Sequence, residues 1–232
     1  MREKSKIDFF ARLCYNKEKS EGGIRMGICY IIGASECDGI TPRPASGDLV
    51  IAADRGLLTA ERFGVTPDLL LGDFDSLGYL PSGDCVEVHP VEKDDTDIGL
   101  AIRAGRARGY RDFYIYGGLG GARPDHAFAN YQLLAALARE GCRAVLFGRS
   151  MSVTARTAGV LSLTGDFGAL FSLFAVGGEA TVSIRGAKYP LTRAVLSPEY
   201  PLGVSNALAG RAEVEVHTGC VLIFFENGVE IS

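Results

Sequence analysis

Leu69-Leu70-Leu71-Gly72-Asp73-Phe74-Asp75-Ser76 sets the reading of the whole chain. Three consecutive leucines without polar alternation suit a strand covered on both faces, as a parallel sheet requires. The glycine and the aspartates that follow at once end that strand in a turn. Outward from this point the pattern repeats, and residues 28–32, 49–53, 68–71, 86–88, 113–116 and 144–147 read as strands. Between them, residues 57–63, 96–108 and 125–139 carry apolar side chains at helical spacing, the last with Phe128, Tyr131, Leu134, Leu137 and Ala138 on one side.

Strand and helix alternating in this way predict an α/β domain over residues 26–148: an open, mostly parallel, Rossmann-like sheet with helices on both faces. After about Gly148 the texture changes. Segments 160–163, 169–175, 180–184, 194–196, 212–217 and 221–225 have strand character, are separated by Gly, Pro and Asn, and show no helical spacing. They predict a smaller all-β domain over 149–232, sandwich- or jelly-roll-like. Residues 1–25 form an N-terminal extension, with Ile7, Phe10, Leu13 and Cys14 spaced for one short amphipathic helix before a polar linker. No catalytic role is assigned to it.

With 232 residues, 47% of them apolar, the chain has ample material for a core. A net charge of −4 with both signs interspersed excludes the basic field that a nucleic-acid backbone needs, and leaves a small molecule as the expected partner. Six cysteines are scattered without a C-x-x-C pair and no signal-peptide pattern precedes them, so a reduced, cytoplasmic protein is expected. No apolar run approaches the ~20 residues of a membrane span.

In an open α/β sheet, ligands gather outside the carboxyl ends of the strands. Those ends are acidic here. One strand runs into Asp54-Arg55-Gly56, the next into Gly72-Asp73-Phe74-Asp75-Ser76, and a third reaches Lys93-Asp94-Asp95-Thr96-Asp97. Crowded carboxylates repel unless a cation sits among them, and hard oxygen donors beside phosphates suit Mg2+. For any single aspartate the plainer reading is a turn or a helix cap, with Thr96 and Asp95 both placed to cap the next helix.

The strand ending at Tyr116 passes into Gly117-Gly118-Leu119-Gly120-Gly121-Ala122-Arg123-Pro124-Asp125-His126 and then a helix. Glycines let the backbone approach a ligand, free N–H groups at a helix start attract phosphate, and Arg123 adds a bidentate donor. The turn is neither a Walker A loop nor G-x-G-x-x-G. His126 reads either as a phosphate donor or as a helix-start histidine bonded to Asp125. His89 and His217 lack convergent partners and read as structural or solvated. No His/Cys spacing supports zinc.

Taken in order, these motifs, together with Ser205-Asn206, resemble the thiamine pyrophosphokinase family over about residues 28–226, in its bacterial form. The resemblance implies a homodimer whose α/β domain binds Mg-ATP, while the β-rich domain helps to form a thiamine pocket at the subunit interface. It implies that Asp73, Asp75 and Asp97 hold Mg2+ with Asp54 close by, that Lys93, Asp94, Arg123, Asp125 and His126 serve the nucleotide and pyrophosphate, and that Ser205 and Asn206 serve thiamine. Two departures stand out. Ala122 separates Gly121 from Arg123, where the family pattern runs straight on, and the chain has no Trp, the residue that eukaryotic relatives stack on the thiamine pyrimidine.

On this reading the thiamine hydroxyl attacks the β-phosphorus of ATP and AMP leaves, with Asp97 or Asp54 as candidate acceptors of the hydroxyl proton. A magnesium phosphatase with a nucleophilic aspartate in Asp73-Phe74-Asp75 is a second reading, but it leaves the glycine-rich turn and the β-rich domain without a task. A non-catalytic sensor is a third, and it has no need of so many mutually repelling carboxylates.

Overall fold

Strands dominate the computed structural model, which describes residues 27–74, 77, 85–88 and 95–232. The extension expected at 1–25 and the candidates Asp75, Lys93 and Asp94 lie outside the described residues. The described residues divide into two units, one formed by those up to 137 together with 141–149 and the other by 138–140 and 150–232.

The first unit runs β1 (Cys29–Ile32), β2 (Leu49–Ala53), α1 (Gly56–Arg62), β3 (Leu69–Gly72), β4 (Val86–Val88), α2 (Asp97–Ala107), β5 (Asp112–Tyr116), α3 (Pro124–Arg139) and β6 (Arg143–Phe147). The strands lie in the order β6-β5-β1-β2-β3-β4 and every neighbouring pair is parallel. The open sheet is therefore as expected, and all six carboxyl ends reach one edge. Chain direction across the sheet reverses between β1 and β5, which makes the crevice there the topological switch point.

Continuous apolar sequence explains the strands: β1 and β3 are buried at every position. Ala60 of α1 packs in a cluster with Tyr30, Ile32, Val50 and Tyr116. Gly105 of α2 lies so near the sheet that a Cβ there would sit 2.7 Å from Cys29 Sγ and 3.0 Å from the Phe113 ring. Helix α2 begins where its cap dictates, since Thr96 Oγ1 accepts the Gly99 N–H at 3.0 Å.

The second unit is antiparallel: β7 (Met151–Arg156), β8 (Gly159–Thr164), β9 (Leu170–Ala175), β10 (Ala180–Ala187), β11 (Leu191–Leu196), β12 (Asn206–Thr218), β13 (Val221–Glu226) and β14 (Glu230–Ile231). Strand β12 organises it, pairing with β8 and β10 along its length and with β9 at Asn206 and Ala207. Strand β13 lies between β7 and β9. Burial alternates along β12 and β9, so Val214, Val216, Phe171 and Leu173 point into the core. Over the described residues the chain has three helices against fourteen strands, β7 and β14 being the two that the sequence pattern does not mark. No helix among them is long and apolar enough to cross a membrane.

Candidate active site

At the end of β2 the chain turns through Asp54, whose φ of +49° is left-handed and whose N–H donates to Leu71 O at 2.7 Å. Its neighbour on β3 must be glycine. A Cβ on Gly72, at φ +153°, would sit 3.1 Å from Asp54 Cα and 3.2 Å from Asp54 Cβ. Asp54 and the Gly72-Asp73 step therefore stand side by side at two adjacent strand ends, with Asp54 buried and Asp73 half-buried. Phe74, also left-handed at φ +57°, anchors this turn by packing its side chain with Ala52, Leu57 and Leu70. Left-handed backbone costs a non-glycine residue about 1–2 kcal/mol, and two such residues at one edge are the kind of strain that collects at functional sites.

The third acidic segment divides its duties. The Asp95 carboxylate accepts the Thr96 N–H at 2.8 Å and pairs with Arg103, so it is committed to the start of α2. Asp97, the first helical residue, is half-buried. The next side chain, Ile98, reaches the backbone at Gly33 and Gly118, where a Cβ would lie 3.1 and 3.0 Å from its Cδ1. That places the first turn of α2, which Asp97 opens, at the switch point between β1 and β5. Among the described residues no three His, Cys, Asp or Glu side chains are grouped tightly enough to hold a metal alone. The donors present are all carboxylates, which fits Mg2+, an ion held by one or two carboxylates together with substrate phosphates and water.

After β5 the chain enters the glycine-rich turn. Gly117, at φ +64°, presses on the β1 end so closely that a Cβ would sit 2.4 Å from Gly33 O. Ser35 N donates to Gly117 O at 2.9 Å, and the buried Asn130 amide donates to Gly118 O at 2.7 Å. The start of the turn is thus pinned, while Gly120 and Gly121 are exposed and left-handed. Pro124 opens α3, a position where its missing N–H costs nothing.

Arg123 does not hang free over this turn. Its Nε donates to Asp125 Oδ1 at 3.0 Å and its Nη2 to Asp125 Oδ2 at 2.6 Å, with both side chains exposed. The hydrogen bond from Arg123 holds the Asp125 carboxyl down at about 2. The His126 N–H donates to Arg123 O at 3.2 Å, and the His126 side chain is exposed. Of the nucleotide-side candidates, Arg123, Asp125 and His126 are therefore together at the start of α3.

In the second unit Ser205 is exposed, with φ +59° and its N–H bonded to Ser172 Oγ at 3.0 Å. Asn206 is 5% exposed. Its Oδ1 accepts from Tyr189 N at 3.0 Å and from Ala207 N at 2.9 Å, and its Nδ2 donates to Tyr189 O at 2.8 Å. The amide thus clamps the β10–β11 connection from both sides and retains one N–H for anything else. What it presents is Tyr189, an exposed ring with Lys188 Nζ 5.2 Å from its centroid. Sequence reading passed over Tyr189, and the only available hint was an aromatic at a turn in a chain without Trp. His217 has partners after all: Nε2 lies 2.8 Å from Ser183 Oγ and Nδ1 3.6 Å from Glu215. Ser183 is buried and also accepts the Arg193 N–H, so this group straps strands together.

Residues 45–146 match the family model described as thiamin pyrophosphokinase, catalytic domain, and residues 160–223 the one described as thiamin pyrophosphokinase, vitamin B1 binding domain. A thiamine pyrophosphokinase from Bacillus subtilis (strain 168) is 27% identical over 168 residues, 69% of this chain and 78% of the relative. The solved structure of thiamine pyrophosphokinase from Bacillus subtilis is similar with a TM-score of 0.74 at 22% identity, over 87% of this chain and 99% of the other; at that identity it speaks for the fold alone. That of the enzyme from Geobacillus thermodenitrificans gives 0.71 at 25% identity, over 87% and 98%. Two models of one family, met in chain order and together spanning most of the sequence, lead to one assignment: the chain belongs to the thiamin pyrophosphokinase family.

Proposed function

We propose that the chain transfers the pyrophosphoryl group of ATP to the hydroxyl of thiamine, giving thiamine diphosphate and AMP, by in-line attack on the β-phosphorus. The observation that carries this reading is the carboxyl edge of the parallel sheet. There a glycine turn and the first turn of α2 meet at the switch point, one strand away from Asp54 and two from Asp73. The turn's N–H groups and Arg123 hold the phosphates. Lys93, Asp94, Asp125 and His126 complete the nucleotide side. Asp73, Asp75 and Asp97 are the oxygen donors for Mg2+, which when bound neutralises charge on the phosphoryl oxygens. Asp97 or Asp54 accepts the hydroxyl proton, and alignment of hydroxyl and phosphorus supplies the rest of the acceleration.

Thiamine is assigned to the β-rich domain, 149–232, with Ser205 as a contact and Asn206 as a support that presents Tyr189 to the heteroaromatic ring. ATP is assigned to the α/β domain, 26–148. We read that domain as doubly wound, since Ala60 and Gly105 pack on strand residues that alternate between the two faces of β1. The second domain we read as a sandwich, and residues 1–25 as an extension outside the chemistry. A homodimer with the thiamine pocket at its subunit interface and a cytoplasmic location complete the proposal, the latter supported by five free thiols among the described residues.

Incubating the protein with thiamine, ATP and Mg2+ and separating products by chromatography tests the reaction. Equal amounts of AMP and thiamine diphosphate are expected; inorganic phosphate without AMP would instead mark a phosphatase.

A further inference from the structure

Arg123 and Asp125 meet in a particular way. Four of a guanidinium's five N–H donors lie on two edges, a side edge of Nε and one Nη, and an end edge of both Nη atoms. Asp125 occupies the side edge, through Nε at 3.0 Å and Nη2 at 2.6 Å. Asp125 is itself the second residue of α3, so its backbone is held in the first helical turn. A carboxylate carried on a helix is a peg for an arginine in the turn before it. The end edge, with its two parallel N–H bonds, stays available for a phosphate, the geometry in which arginine binds that group bidentately.

Resting on the proposal that Arg123 binds phosphate, we infer that Asp125 is a positioning residue, which grips the side edge of the guanidinium and aims its end edge at the polyphosphate. Asp125 thus belongs to the nucleotide side through Arg123 rather than by a contact of its own. Two features of the chain fit this division. The extra residue Ala122 lengthens the approach to Arg123, so the turn alone no longer fixes where the guanidinium goes, and a peg two residues downstream restores the aim. A carboxylate facing a polyphosphate directly would repel it, whereas one behind the arginine adds order at the cost of a repulsion that solvent screens.

The test is a double-mutant cycle on the full chain, with kcat and KM for Mg-ATP measured at saturating thiamine for wild type, R123A, D125A and R123A/D125A. Both side chains are exposed, so the variants keep the fold. R123A and D125A are each expected to raise KM about tenfold, and the double variant to match R123A within about twofold, because Asp125 acts only through its partner. D125E, which keeps the carboxylate, should recover part of the loss. Losses that multiply in the double variant would overturn the inference by showing that Asp125 acts on ligand, metal or helix independently. An unchanged or lowered KM in D125A overturns it as well, leaving the carboxylate as a mere repelling charge. A silent R123A has a different meaning, since it removes the phosphate role of Arg123 on which the inference stands.

Discussion

Replacing Asn206 tests the clamp on which the thiamine side depends. Asn206→Ala removes one donor and two acceptor interactions at a residue only 5% exposed, leaving Tyr189 N, Ala207 N and Tyr189 O without their partner. At about 0.5–1.5 kcal/mol net per hydrogen bond the loss sums to roughly 1.5–4.5 kcal/mol. Water reaches the Tyr189 backbone once the connection opens, so about 3 kcal/mol is the expected value, a fall in Tm of about 6–12 °C for a chain of this size. Asn206→Asp separates the contributions. It keeps both acceptor roles but turns a carboxylate oxygen toward Tyr189 O, and about 2 kcal/mol should be lost at neutral pH. The introduced carboxyl is raised in the folded state above its unfolded value of about 3.9, so stability returns as pH falls toward about 5 and the protonated group donates to Tyr189 O. Urea unfolding at both pH values and calorimetric titration with thiamine and with Mg-ATP measure the outcome. Thiamine binding should weaken at least tenfold while Mg-ATP binding holds. Unfolding of both variants within about 0.5 kcal/mol of wild type would refute the clamp.

Other substitutions probe the remaining parts. Asp73→Asn and Asp75→Asn should abolish turnover while leaving the protein as stable as before or more so, because carboxylate repulsion is relieved; near-normal rates at saturating Mg2+ would remove these residues from the metal site. Ser205→Gly should raise stability by about 1 kcal/mol, since φ +59° suits glycine, yet weaken thiamine binding through loss of the hydroxyl. A gain in stability with unchanged thiamine affinity would make Ser205 a turn residue only. The Asp125 carboxyl, held at about 2 against an ordinary value near 3.9, binds its proton more readily when unfolded. Its contribution is complete above about pH 4 and is lost as pH falls through about 2. A carboxyl-detected NMR titration should find that midpoint, and R123A should move it up toward the ordinary range.

Much of the first unit was legible because its signals are local. Uninterrupted apolar runs marked β1, β2 and β3, and Thr96 marked the start of α2 by ordinary capping chemistry. The second unit was harder. Strand β12 begins at Asn206, six residues before the expected 212, because Ala207-Leu208-Ala209-Gly210 carries little β-propensity and is held by pairing with β9 and β10. Strand β7 was passed over for a similar reason, since Met151-Ser152-Val153-Thr154 pairs with a strand about seventy residues away. At the site, sequence brought out the acidic strand ends and the glycine turn. It did not reveal that Arg123 is gripped by Asp125 or that Asn206 serves Tyr189, because an arginine fork and an amide each have several possible partners and only the folded backbone selects one.

The position of bond cleavage in ATP distinguishes attack at the β-phosphorus from attack at the γ-phosphorus. With thiamine, Mg2+ and ATP labelled separately at the β- or the γ-phosphorus, both labels should appear in thiamine diphosphate, the former β-phosphorus bonded to the thiamine oxygen, with unlabelled AMP as the only other product. Retention of the β-label in ADP, with the γ-label in thiamine monophosphate or free phosphate, would contradict attack at the β-phosphorus and with it the proposed reaction.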